Sequence, residues 1–139
     1  MSMFTSENEI YDFVSGKCIE DEPELFTVSA PPDSPEKFPC MSISEINSYS
    51  DPFTQTARST ENYTVLIYEI NVYSNQQVGK KAEAKRIAQL ADKYMCDKEE
   101  GLGFRRTSQT RTPNIANPSV YRVTSRYYAK VRNSVVYSS

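Results

Sequence analysis

The chain contains neither histidine nor tryptophan. Without histidine it lacks the commonest general base and the commonest metal ligand, so Ser/His/Asp triads and most zinc sites are excluded. Cysteine is scarce. Cys18, Cys40 and Cys96 stand far apart with no CxxC pair, which indicates neither a metal knuckle nor a disulfide framework. They read as buried or half-buried free thiols of a protein made in a reducing cytoplasm. No apolar run approaches the roughly 20 residues of a bilayer-spanning helix, and no basic n-region followed by an apolar h-region opens the chain. A soluble protein with no classical secretion signal is expected, with no cofactor, no metal and no membrane partner.

What is present is the length of one ordinary domain, 139 residues, enough to bury about two thirds of the unfolded surface around one core. Tyrosine outnumbers phenylalanine, 10 to 6, which suits a modest core with much surface given to polar contacts or protein partners. The net charge of −2 hides a division. Residues 1–78 hold 3 Lys/Arg against 13 Asp/Glu, a balance of −10, and residues 79–139 hold 13 against 5, a balance of +8. Such asymmetry fits a nucleic-acid face or the meeting of one copy's basic side with another's acidic side.

Residues 3–15 carry Ile10, Phe13 and Val14 at helical spacing, with Ser6 or Asn8 to start a helix and Gly16 to stop it. This predicts a short N-terminal helix within residues 1–16. Residues 17–37 combine acids with Pro23, Pro31, Pro32 and Pro35 and read as a surface loop or arm. Residues 38–51 alternate tolerably, with Met41 and Ile43 on one face and Cys40 and Ile46 on the other, and predict a strand. The clearest strand is 62–75, where Leu66, Tyr68, Ile70 and Val72 share one face.

The clearest helix is 79–95. Ala84, Ile87, Ala88, Ala91, Tyr94 and Met95 form its apolar stripe, opposite Lys81, Lys85, Arg86, Gln89 and Lys93. Residues 101–114, GLGFRRTSQTRTPN, follow as strand and loop, with Leu102 and Phe104 as core anchors. The last strand, 119–132, sets Tyr121, Val123, Ser125, Tyr127, Ala129 and Val131 on one face and Arg122, Thr124, Arg126, Tyr128 and Lys130 on the other. The expectation is one α+β domain, its antiparallel or mixed four-stranded sheet packed by one long helix and a short N-terminal helix. The core spans 38–132, with 133–139 as a C-terminal tail. Its centre is expected at Leu66, Tyr68, Ile70, Val72, Ile87, Ala91, Leu102, Phe104, Tyr121 and Val123.

The glycines of GLGF suggest a phosphate loop. Such a loop needs its glycines between a strand and a following helix, whereas here they follow a helix, and Gly101 stands where a helix stop belongs. Arg105, Arg106, Arg111, Arg122, Arg126 and Lys130 fall on two segments with Tyr127 and Tyr128 between them, a mixture that single-strand nucleic-acid binders use. Dedicated binders usually carry a basic balance and this chain is net acidic, so a solvated or subunit-facing basic face is the stronger reading. Catalysis finds little support. Neighbouring acids such as Glu99 and Glu100 do not face one another, and hydroxyl and thiol nucleophiles have no histidine to activate them. A non-enzymatic chain is expected. Glu69, on the central strand, is expected to pair with an arginine of the last strand.

Four stretches taken in order, FPCMSISEIN, YEINVYSNQQVGKKAEAKRIAQLAD, LGFRRTSQTRTPN and VYRVTSRYYAKV, resemble the tail terminator or tail completion proteins of tailed bacteriophages. These are often labelled minor capsid or head-tail joining proteins in phages of Gram-positive hosts. The likeness runs from Phe38 to Val131 and rests on the ordered set, no single motif being diagnostic. Residues 17–37 have no counterpart in the pattern. The resemblance implies an α+β subunit that closes into a ring of six on the tail tube, ends tube polymerisation and docks the head connector. Its implied partners are further copies of itself, the tube protein, the head-closure protein and, where the tail contracts, the sheath, with DNA only passing through the lumen. The implied location is the virion neck, after assembly in the bacterial cytoplasm. Arg105, Arg106, Arg111, Arg122, Arg126 and Lys130 would be the contact residues. The alternatives are a nucleic-acid-binding module on the Arg105–Arg132 face, or another neck component.

Overall fold

The computed structural model describes residues 7–32, 35–50, 64–75, 79–113, 119–132 and 135–136. The expected helix start within residues 1–6 and the expected turn at Asp51 and Pro52 lie outside these. The first helix, α1 (Glu7–Asp21), runs through Gly16 instead of stopping there. A glycine inside a helix costs roughly 1 kcal/mol, but Ile10, Val14 and Cys18 recur every four residues and are all fully buried. Burial of that stripe contributes roughly 1.5–3 kcal/mol per large side chain, which outweighs the glycine. The acidic, proline-rich segment is therefore not all loop. It includes the last turn of α1 and a three-residue strand, β1 (Phe26–Val28).

The sheet has five strands in the order β1-β2-β3-β5-β4, with a sixth pairing at one end. The expected sheet had four. Strand β2 (Cys40–Ser50) runs parallel to β1 and antiparallel to β3 (Thr64–Ser74). Strand β5 (Tyr121–Arg132) lies antiparallel between β3 and β4 (Arg105–Arg111). Two residues placed in the tail on sequence grounds form β6 (Val135–Val136), which pairs with Val131 and Arg132 of β5. Among the described residues only the β1–β2 pair is parallel, so the sheet is mixed. β3 and β4 point the same way with β5 between them, and the helix α2 (Lys80–Cys96) joins them as a split β-α-β unit.

Both helices pack on one face of the sheet. Ala84, Ile87, Ala88, Ala91 and Met95 of α2 and the buried stripe of α1 meet Met41, Ile43, Leu66, Tyr68, Ile70, Val72, Val123, Tyr127 and Ala129. The same cluster holds Leu102, Phe104 and Tyr121. Leu102 and Phe104 are buried ahead of β4, not in it. The Phe104 N–H donates to the Met95 carbonyl at 2.7 Å, and its ring meets Tyr68 edge to face with centroids 5.7 Å apart. Ile46 lies at the β2 bulge between Glu45 and Asn47 and is exposed. A smaller cluster of Cys40, Tyr73 and Val120, with Phe26, Val28 and Phe38 against it, covers part of the opposite face.

The three thiols are free. Burial, with some help from Asp21, pushes Cys18 up to about 12. Burial alone pushes Cys40 to about 11, and burial with Asp92 pushes Cys96 to about 12. All three stay protonated near neutral pH, the unreactive form of the side chain.

Candidate subunit interface

After α2 ends at Cys96, the chain turns back through residues 97–104. Gly101 donates its N–H to the Asp97 carbonyl at 3.0 Å, and Leu102 donates to the Tyr94 carbonyl at 2.9 Å. A β-carbon at Gly101 would stand 2.5 Å from that Tyr94 oxygen, so close approach to the helix end requires glycine here. The turn delivers the chain to β4 at the sheet's edge, where all seven residues are exposed. The GLGF segment is thus the exit from a helix, with the N–H groups of Leu102 and Phe104 committed to the Tyr94 and Met95 carbonyls of the helix's last turn.

Register decides where each arginine stands. Arg106 and Arg111 lie opposite Tyr127 and Val123, on the helix-covered side, and Arg105 lies opposite Tyr128 on the other. Arg122, Arg126 and Lys130 of β5 share that second side, in register with Tyr73, Glu69 and Val65 of β3. The six residues singled out in the sequence are therefore split between two faces and do not make one patch.

Their surroundings also differ. Arg106 Nη1 is 3.5 Å from Asp92 Oδ1 on α2, the same oxygen that accepts the Tyr127 hydroxyl at 3.1 Å. Arg126 Nε donates to Glu69 Oε2 at 3.1 Å, the pairing expected of Glu69. Arg122 Nε donates to Asn71 Oδ1 at 2.9 Å and its guanidinium lies 5.3 Å from the Tyr73 ring centroid. Arg105 and Arg111 instead lie over Tyr128 and Tyr121, 4.9 Å and 5.1 Å from the ring centroids. A ring holds a guanidinium in place without cancelling its charge. Arg105 and Arg111 are thus presented at the edge as cations.

The acids gather at the other side of the molecule. The α1 face bearing Tyr11 and Ser15 touches β1, since the Tyr11 and Ser15 hydroxyls both meet Thr27 Oγ1. Glu20, Asp21, Glu22 and Glu24 follow at the end of that helix. Arg86 Nε donates to Glu22 Oε1 at 2.7 Å, and the Tyr94 hydroxyl donates to Asp21 Oδ2 at 3.1 Å. Glu20 and Glu24 are exposed. A groove of about 380 Å³ lies here, lined by Asp21, Glu22, Arg86, Gln89, Leu90 and Lys93.

Sequence reasoning missed Asp92, Asn71 and the acids at the end of α1. Asn71 carried a signal, being a buried amide inside an apolar strand, but its partners come from strands distant in sequence. Among the described residues no three His, Cys, Asp or Glu side chains are grouped to hold a metal ion, and no helix is long and apolar enough to cross a membrane. Compared with known proteins, the chain matches no family model and no curated protein.

Proposed function

We propose that this chain is a structural subunit of a phage neck, a tail terminator that closes into a ring at the head end of the tail tube. One observation carries the reading. The two edges of a single sheet bear opposite charge, with Arg105 and Arg111 on β4 and the Glu20–Glu24 acids beside β1. A closed ring requires two different, complementary patches on each subunit, and this fold supplies them on opposite sides. The ordered likeness between Phe38 and Val131 supports the same assignment. On this reading the subunit has no catalytic role and no cofactor. Its partners are copies of itself, the tube protein and the head-closure protein, together with the sheath in contractile tails, and DNA only traverses the lumen.

The nucleic-acid reading is weaker because Arg126 is ion-paired with Glu69 and the six basic residues are divided between the two faces of the sheet, so no single face gathers them for phosphate. The deciding experiment adds the purified chain to polymerising tail tube protein and images the products by negative stain. Tubes of limited length with a ring at one end are expected. Tubes whose length ignores the chain, with bare ends, would refute the proposal. A salt titration against single-stranded DNA is expected to stay flat; tight, steeply salt-dependent binding would favour the alternative.

A further inference from the structure

We infer that the outer edge of β4 is a strand-addition site selective for an acid-flanked partner, and that its occupant is β1 of a second copy, with the Glu20–Glu24 acids beside it. This rests on the ring reading and names the contact that would make the ring.

The edge is open in a specific sense. β4 pairs with β5 along one side, β6 continues the line of β4 on that same side of β5, and among the described residues no strand takes the other side of β4. A seven-residue exposed edge is a template for another strand unless something blocks it. Here the block is charge. In a full antiparallel pairing of two β4 strands centred on Ser108, Arg105 would face Arg111 at both ends. A parallel pairing in register would set each arginine beside its own copy. Like charges directly opposite oppose pairing, so the arginines prevent β4 from joining β4 while favouring an acid-flanked strand.

A strand flanked by acids is at the opposite end of the same sheet. β1 is preceded by Glu20, Asp21, Glu22 and Glu24. Strand direction agrees as well. β1, β2 and β5 run one way and β3 and β4 the other. When copies stand side by side in the same orientation, β4 of one therefore meets β1 of the next antiparallel, the arrangement that gives the stronger ladder. Pairing of main chains supplies the affinity and the opposed charges select the partner and its orientation.

The test is charge exchange in the full-length chain. R105E/R111E makes the β4 edge acidic, and E20K/E24K makes the β1 side basic. Both pairs sit on exposed positions, and among the described residues Glu20 forms an ion pair only with the exposed Lys17, at 3.8 Å. Self-association is measured by sedimentation velocity and native mass spectrometry. Wild type is expected to associate with increasing concentration, each double variant to associate about tenfold more weakly or worse, and the quadruple variant to recover. Amides in 105–111 and 22–28 are expected to gain protection from hydrogen exchange on association. The inference is overturned if wild type stays monomeric, if neither double variant weakens association, or if both do and the quadruple variant fails to recover. A chain that passes these tests yet leaves tail tubes uncapped refutes the proposed function alone. A chain that caps tubes while both double variants cap equally well refutes this inference alone.

Discussion

Arg122 and Asn71 meet across the β3–β5 pair, the guanidinium Nε donating to the amide oxygen at 2.9 Å. That oxygen also accepts the Thr124 hydroxyl at 2.6 Å, while the Asn71 amide nitrogen donates to Glu69 at 2.9 Å and to Ser42 at 3.2 Å. One buried side chain thus links three strands through polar contacts that tolerate only one register. Asn71→Ala is expected to cost about 3 kcal/mol, because it removes at once the amide that bonds the buried Ser42 and the half-buried Glu69, Arg122 and Thr124. Asn71→Ser is expected to recover part of that. Urea midpoints for both variants check it, and an alanine variant as stable as wild type contradicts the assignment.

Gly101→Ala should be costly out of proportion to one methyl group. The added carbon meets the carbonyl oxygens of Tyr94, Lys93 and Asp97 at 2.5, 2.9 and 2.9 Å. These are backbone atoms of the helix end, so the turn itself must shift, at about 2 kcal/mol. The same substitution at Gly16, where nothing lies within 4 Å of the new carbon, should stabilise α1 by about 0.5–1 kcal/mol. Thermal melts of the two variants should move in opposite directions.

Charge reversal at Arg105 and at Arg106 should separate. Arg106 faces the half-buried Asp92, so R106E places two carboxylates together at the sheet's edge and should cost about 1 kcal/mol. Among the described residues Arg105 lies over the Tyr128 ring and pairs with no acid, so R105E should stay within about 0.5 kcal/mol of wild type. Chemical denaturation measures both, and equal losses would remove the distinction between the fold-holding arginine and the presented one.

Asp97 caps the turn after α2. Backbone N–H groups of Glu99 and Glu100 donate to its Oδ1 at 2.7 and 3.0 Å. Those bonds, with that from Glu100 the larger influence, hold its carboxyl below the ordinary 3.8. A depressed folded value means the carboxylate's contribution is fully present above the ordinary value and disappears as pH falls through the lower folded one. The stability gap between wild type and D97A should therefore be constant near neutral pH and close on acidification below 3.8. A gap that widens in acid overturns this sign.

Much of the fold was legible because local pattern and burial agree. Leu66, Tyr68, Ile70 and Val72 alternate at the strand period and are all buried; Ile87 and Ala91 recur at the helical period and are buried too. Where the two disagreed, the reading failed. Gly16 looked like a stop until the buried Val14 and Cys18 on either side of it were seen to carry the helix through. β1 is three residues among prolines and acids, and its strand character comes from pairing with β2, which no local pattern records.

The sequence by itself determined the chemistry available: no imidazole, three widely spaced cysteines, and an acidic half joined to a basic half. It determined the main helix and the two central strands as well, since their periodicity is set by each element's own geometry. Tertiary structure alone decided that the two halves end on opposite edges of one sheet. It also decided that Arg106 and Arg126 are paired with the carboxylates of Asp92 and Glu69 and that Arg122 is anchored to the neutral Asn71, while Arg105 and Arg111 lie on aromatic rings at the open edge. The reason is physical. A guanidinium's availability depends on what lies across the strand from it, and that neighbour is chosen by register between segments far apart in the chain.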